Sequence, residues 1–449
     1  MNKGALMDDI QQLRKLAIPL EDDAISYQDL YKSIDKARFI LLGEASHGTA
    51  EFYQERIKIT KKLIKEDGFD AVVIEGDWPD SYRVNEYINS RSSDASGEVA
   101  LLGFQRFPTW MWRNEEVLGF VEWLKIYNSS KAKDQRGIGF YGMDLYSLFT
   151  SMDVVLNYFL KIDPVLAEQA KKRFSCFDHY NKDSQLYGYL ASYNESPHGC
   201  EHAVVEQLKE MLKMKQYLKS MESNNPDHLF SALQNMRLIK NAENYYRTMF
   251  GGRVSSWNLR DEHMMETISE IDRFLSKELG RPAKIIVWAH NSHIGDARAT
   301  QQGFSGEHTV GQLMRQKYPS EVFLLGFTTY SGYVTAASEW GAMTKRKSVN
   351  PSLEASYEGL FHQLRLSRFM YIIKNNMALQ KVLPLRRLER AIGVVYLPQS
   401  ERRSHYFYAD LANQFDALIH IDTTNALAPL ENIASLSENE APETFPSGF

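Results

Sequence analysis

The stretch ARFILLGEASHGTAEFYQERIKITKKLIKEDGFDAVVIEGDWPDSYRVNEY, Ala37 to Tyr87, decides the fold. Phe39–Leu42 and Ala71–Ile74 are short continuous apolar runs, the pattern of parallel strands buried on both faces. Between them Phe52, Tyr53, Ile57, Ile59, Leu63 and Ile64 recur mostly at threes and fours, which predicts a crossover helix. A strand–helix–strand unit sends both strand ends to one edge of the sheet, where open α/β folds bind ligands. Glu44 and His47 follow the first strand, and Glu75 and Asp77 end the second, so these groups are expected to converge there.

Working outward, 449 residues exceed one ordinary domain and suggest a core interrupted by an insertion. Residues 1–150 read as the first part of an α/β core. Residues 151–255 form an all-helical, lid-like insertion, and 256–330 the second part of the core. Residues 331–430 make a C-terminal mixed α/β part, and 431–449 an acidic tail expected to be mobile. The fold class is therefore α/β: a mostly parallel sheet flanked by helices, with a large helical insertion.

The later strands are expected at GIGFYGMD, ending in Asp144, at Ile285–Ala289, in VFLLGFTTYSGYVTAAS with a turn at Ser331 and Gly332, at Gly393–Leu397 and at Ala417–Ile421. Gly137, Gly139 and Gly142 match G-x-G-x-x-G. They lie inside the apolar run rather than between a strand and a helix start, so they are not a dinucleotide fingerprint. Phe104–Trp112, dense in aromatics, either packs against the sheet edge or walls a ligand cleft.

With 43% hydrophobic and 24% charged residues, the composition is that of a soluble globular protein. A formal charge of −5 gives no basic footprint for nucleic acid, and no apolar run approaches a membrane span. The N-terminal MNKGALMDDIQQLRKL lacks the apolar core of a signal peptide, so a cytoplasmic location is expected. Cys176 and Cys200 are the two cysteines, and reduced thiols are expected. The expected partner is a small molecule.

Separate strand ends deliver Glu44 and His47, Glu75, and His290 and His293, while Arg56 rides on the inward face of the first helix and Arg260 on a helix returning to the core. Singly, each has a structural explanation: a loop histidine bonded to backbone, a helix-capping acid, a surface ion pair. Jointly they indicate a cleft. A buried Arg56 needs a carboxylate. There is no G-x-S-x-G elbow, no Walker loop and no cysteine in a catalytic motif, and Ser46 beside His47 tends to point the other way.

Two mechanisms remain. In one, neutral His47 takes a proton from water that attacks a carbonyl, a carboxylate orients the imidazole, and an arginine or a histidine of the 290 and 293 pair steadies the oxyanion. In the other, Glu44, His47, Glu75, His290 and His293 bind a divalent metal that generates hydroxide. Arginines in the same pocket repel a cation, which favours the reading without cofactor.

At these residues the sequence resembles the erythromycin esterase family. The matching motifs are GEASHG at Gly43–Gly48, E-F-Y-x-x-R ending in Arg56, VIEGDW at Val73–Trp78, GMD at Gly142–Asp144, WNLRDEHM at Trp257–Met264, WAHNSHI at Trp288–Ile294 and QFDALIHIDTTNALAPL at Gln414–Leu430. The resemblance implies an α/β core with a helical insertion and hydrolysis of a carboxylic ester or macrolide lactone. His47 is then the general base, with Glu44, Glu75, Arg56, His290 and His293 as its catalytic companions. Arg260, Asp77, Asp144, Trp110 and Asn258 are the expected substrate-binding residues, with specificity in the insertion, the 104–112 wall and Asn244, Tyr245 and Tyr246. Some relatives carry a succinoglycan biosynthesis label, so a metal-dependent hydrolase or a transferase acting on an exopolysaccharide precursor is the alternative, and a binding protein that keeps the cleft without turnover is a third.

Overall fold

The computed structural model describes residues 3–21, 25–34, 36–132, 134–192, 199–221, 226–383 and 386–431. The acidic tail from 432 onward lies outside the described residues. Two compact units emerge: Met1–Val72, Gln105–Ile138 and Ala283–Phe449 form the first, Val73–Phe104 and Gly139–Pro282 the second. The described strands are β1 (Ile18–Pro19), β2 (Phe39–Leu42), β3 (Ala71–Asp77), β4 (Gly139–Asp144), β5 (Ile285–Trp288), β6 (Val322–Ala336), β7 (Lys345–Val349), β8 (Arg368–Ile372), β9 (Arg387–Arg390), β10 (Tyr406–Ala409) and β11 (Ala417–Thr424).

In the first unit the sheet runs β1-β8-β11-β6-β2-β5. β2 lies between β5 and β6 and is parallel to both, Leu42 facing Trp288 on one side and Leu325 on the other. Every residue of β2 and β5 is buried, which is why both read as unbroken apolar runs. β8 closes onto β11 antiparallel, and β9 pairs β10 in a separate antiparallel ribbon. Helix Ala50–Asp67 follows β2 and buries Phe52, Tyr53, Arg56, Ile59 and Leu63 along one stripe. It ends at Gly68, whose left-handed backbone (φ 67°) caps it.

β3 starts in the first unit and continues into the second, where β4 is its neighbour. A Cβ at Gly142 of β4 would stand 2.3 Å from the Gly76 carbonyl oxygen, so this glycine serves close packing. After Asp144 no strand occurs among the described residues until Ile285, and helices fill the stretch between, from Leu148–Ile162 to Arg253–Leu279. Trp78, which opens the helix after β3, is clamped by a stacked Tyr141, an edge-on Phe230 and the Ser231 hydroxyl 3.1 Å from its indole nitrogen. No described helix is long and apolar enough to cross a membrane.

Three sequence expectations are corrected. Ser331 and Gly332 do not turn: β6 runs through them, its first part parallel to β11 and its last five residues antiparallel to β7. Gly332 is needed because its φ is 134° and a Cβ would stand 2.0 Å from the Thr424 oxygen, a bend within a strand. Gly393–Leu397 forms no strand. Val395 makes only a single bridge to Ala337, and Tyr396 is buried with Val334, Ala336, Val349 and Ile392, so the apolar run reflects burial without a ladder. Cys176 and Cys200 are joined in a disulfide, Cα atoms 5.8 Å apart across 24 residues. The helix Ser184–Ser192 between them doubles the chain back, which spacing alone does not reveal.

Candidate active site

The GEASHG loop is pinned by backbone from four other segments. The N–H of Asn291 donates to the Glu44 carbonyl (2.8 Å), and the N–H of Ile392 to that of Ala45 (2.8 Å). His47 N–H donates to the Ile392 carbonyl (3.3 Å), and the Gly48 carbonyl accepts from both Thr335 (3.0 Å) and Leu427 (2.9 Å). A Cβ on Gly48 would come 1.9 Å from the Thr335 oxygen, and one on Gly43 2.1 Å from Asn291 Oδ1. Both glycines of the motif are therefore set by close approach.

That scaffold holds a relay of three side chains. Glu44 Oε1 lies 2.8 Å from His47 Nδ1, and Arg56 Nη2 donates to Glu44 Oε2 at 2.6 Å. All three are buried. The Arg56 guanidinium lies 4.3 Å from the Tyr53 ring centre and 5.1 Å from that of Trp288, while its Nε and Nη1 have no hydrogen-bond acceptor. The stacked rings thus replace acceptors for two buried donors. Because Nδ1 is committed to a carboxylate, the lone pair of neutral His47 sits on Nε2.

His290, at the end of β5, brings its ring centre to 4.8 Å from that of His47. Its Nδ1 accepts the Ser292 N–H (3.2 Å) and lies 2.8 Å from the Ser292 hydroxyl, so in the neutral ring the proton belongs on Nε2. His293, one helical turn on, is also buried. Ser46 is engaged with the Thr49 hydroxyl, away from any nucleophile role. Glu44 spends both oxygens on His47 and Arg56, and among the described residues no three His, Cys, Asp or Glu side chains group as a metal requires.

Glu75, Asp77, Asp144, Asn258 and Arg260 belong to the second unit. Arg260 donates through Nε and Nη2 to the two oxygens of Asp144 (3.0 and 2.7 Å), and through Nη2 to Glu75 Oε1 (2.8 Å). Burial opposes its charge, but Asp144, Tyr146 and Glu75 outweigh that and hold the guanidinium above its ordinary pKa. Asp77 accepts the Tyr146 N–H at 2.9 Å, and Asn258 is half-buried two residues before Arg260. Tyr245 and Tyr246 are buried, Tyr246 hydrogen-bonded to the Tyr146 carbonyl.

Trp110, in the first unit, is buried, and its neighbours Met111 and Trp112 contact Tyr53, so 104–112 contributes packing on the crossover helix. Sequence reasoning missed His263 of the second unit, fully buried and bonded to Asn241 (2.9 Å), whose burial pushes its pKa down to about 4. It also missed the loop's supports at Thr335, Ile392 and Leu427, which act through backbone atoms and leave no residue signature.

The chain is 22% identical over 329 residues to the erythromycin esterase type II of Escherichia coli, covering 70% of this chain and 74% of that protein. It is 22% identical to the putative hydrolase YbfO of Bacillus subtilis (strain 168), covering 78% and 77%. Among solved structures, a succinoglycan biosynthesis protein superposes with a TM-score of 0.77 at 19% identity, over 95% of this chain and all of that one. A mutant of the erythromycin esterase EreC in its open conformation gives 0.64 at 18% identity, over 91% and 96%. The model of the family described as erythromycin esterase matches residues 64–424, and the chain belongs to that family.

Proposed function

We propose that the chain is a carboxylic ester or lactone hydrolase in which His47 is the general base, acting without a metal and without a covalent intermediate. The observation that carries this is the Glu44 carboxylate at 2.8 Å from His47 Nδ1, itself held by Arg56. His47 Nε2 takes a proton from water as the water oxygen bonds to the ester carbonyl carbon. Glu44 stabilises the imidazolium that results, as a carboxylate does for any histidine base it orients. The His290 Nε2–H donates to the developing oxyanion. Collapse breaks the bond to the alkoxy oxygen, which receives the proton from His47, and acid and alcohol leave. General-base assistance supplies about 10² to 10⁴ in rate, and one oxyanion donor about 10² to 10³.

Family membership supports an esterase-type hydrolase, and a macrolide lactone is the first substrate to offer, because relatives are named for it. The test is mass-spectrometric detection of one added water on erythromycin and on simpler lactones and aryl esters, with parent and His47→Asn protein. Turnover that survives exhaustive chelation and falls at least about 10²-fold in His47→Asn, with an unchanged circular dichroism spectrum, is the expected result. Equal rates in the two proteins would remove His47 from the mechanism.

A further inference from the structure

We propose that a cavity in the first unit, outside the His47 cluster, binds a hydroxylated organic anion: a sugar acid or a sugar phosphate. The cavity holds about 540 Å³ and is walled by Asp296, Arg298, Phe304, Arg315, Arg386 and Asp410, with Ala299 and Asn413. That volume lies in the usual small-molecule range of roughly 300–1,000 Å³.

Its three arginines differ in what they have left to offer. Arg298 is forked onto Asp296 (2.9 and 2.6 Å). Arg315 reaches the same carboxylate at 3.2 Å and Asp416 at 3.0 Å. Burial would raise the Asp296 carboxyl, but the two arginines outweigh it and hold it below the usual range, so their charge is answered within the protein. Arg386 has no carboxylate or hydrogen-bond partner among the described residues. Its contacts are the faces of Phe304 (5.2 Å) and Tyr408 (5.5 Å).

An unpaired surface arginine is ordinary by itself. Here it is held over two aromatic rings that are themselves 75% and 41% exposed, leaving its N–H edge for an acceptor other than the described residues. A planar fork of this kind matches a carboxylate or a phosphate.

Asp410 adds the second requirement. Its carboxylate lines the cavity, with Oδ2 accepting from Asn413 at 2.8 Å. A bare anion would meet this carboxylate as a repulsion, whereas a ligand carrying hydroxyls brings donors to the same wall. The ring face of a sugar suits the exposed face of Phe304. The walls are built in advance: Asp410 N–H donates to the Ala299 carbonyl (2.7 Å) and Tyr408 N–H to Gln301 Oε1 (3.1 Å), tying the two sides together.

This inference is independent of the hydrolase reading, so its test is binding rather than turnover. The full chain is titrated calorimetrically with glucuronate, glucose 6-phosphate, glucose and inorganic phosphate. Saturable binding of at least one sugar anion is expected, with glucose and phosphate weaker by about tenfold or more, one step of about 1.4 kcal/mol. Arg386→Gln and Phe304→Ala, both at exposed positions, are each expected to weaken the sugar anion by a similar factor. Absence of saturable binding, phosphate binding as tightly as the sugar anions, or full affinity in Arg386→Gln would each overturn the proposal.

Discussion

Arg56 shows how a residue outside the reacting atoms sets the chemistry. Glu44 can orient His47 only if its own charge is held still, and the guanidinium that holds it is fixed by two rings rather than by a further acid. A lysine reaches Glu44 with the same charge but has no planar face to lie between Tyr53 and Trp288, and its ammonium swings on a flexible stem. Arg56→Lys is therefore expected to weaken a charge-assisted bond worth about 1.5–3 kcal/mol, lowering kcat by roughly tenfold to a hundredfold. KM should be unchanged, because Arg56 meets the histidine's partner and not the substrate. Steady-state kinetics on any cleavable ester decides it: a rise in KM at constant kcat would move Arg56 from positioning the base to binding the substrate.

At the scale of elements, the disulfide is the clearest device. It ties the 3₁₀ turn Ser175–Tyr180 to the start of helix Glu201–Lys213, around a loop also closed by Tyr187, whose hydroxyl accepts the Cys200 N–H (3.1 Å) and donates to Glu243 (2.6 Å). A loop of this length is worth about 3 kcal/mol of unfolded-state entropy. Cys176→Ser, or reduction of the parent, is expected to lower the unfolding free energy from urea titration by about that amount, and identical values with and without reductant would show the bridge contributes nothing. The cysteine pairing was illegible because it depends on where helices double back.

β2, β3 and β5 were legible because burial on both faces writes an apolar run into the sequence, and the inward Arg56 was legible from helical spacing. The long β6 was not, since Gly332 in a bent strand and Gly in a turn look alike, nor were the backbone clamps on Gly48. The His47 relay belongs to one unit and the Arg260 ion network to the other.

Across the whole molecule, buried titratable groups set how stability depends on pH. Burial pushes His263 and His405 down to about 4 and lowers His420 as well, so these rings stay neutral when folded but bind protons on unfolding below about pH 6.5. Stability is accordingly lost as pH falls from 6.5 toward 4. Glu389 of β9 acts in the opposite sense. It is fully buried, neither of its oxygens has a hydrogen-bond partner although Gln414 and Asn291 face it, and burial together with the neighbouring Glu358 pushes it up to about 8.

The folded chain keeps that proton while the unfolded chain, with an ordinary glutamate, has released it above about pH 4.5, so stability falls as pH rises to 8 and is level beyond. Between 4.5 and 6.5 the two effects oppose each other, the three histidines against the raised acids Glu389, Glu358 and Glu116. From pH 6.5 to 8, Glu389 alone accounts for a loss of about 2 kcal/mol, at about 1.4 kcal/mol per tenfold change in proton affinity. Glu389→Gln, which keeps the shape of the neutral acid and does not titrate, is expected to flatten that alkaline limb and leave the acid limb unchanged in denaturation curves from pH 4 to 9. A limb of parental slope in this variant would mean that Glu389 is ionised in the folded chain, and the two orphaned oxygens would then need a donor from elsewhere.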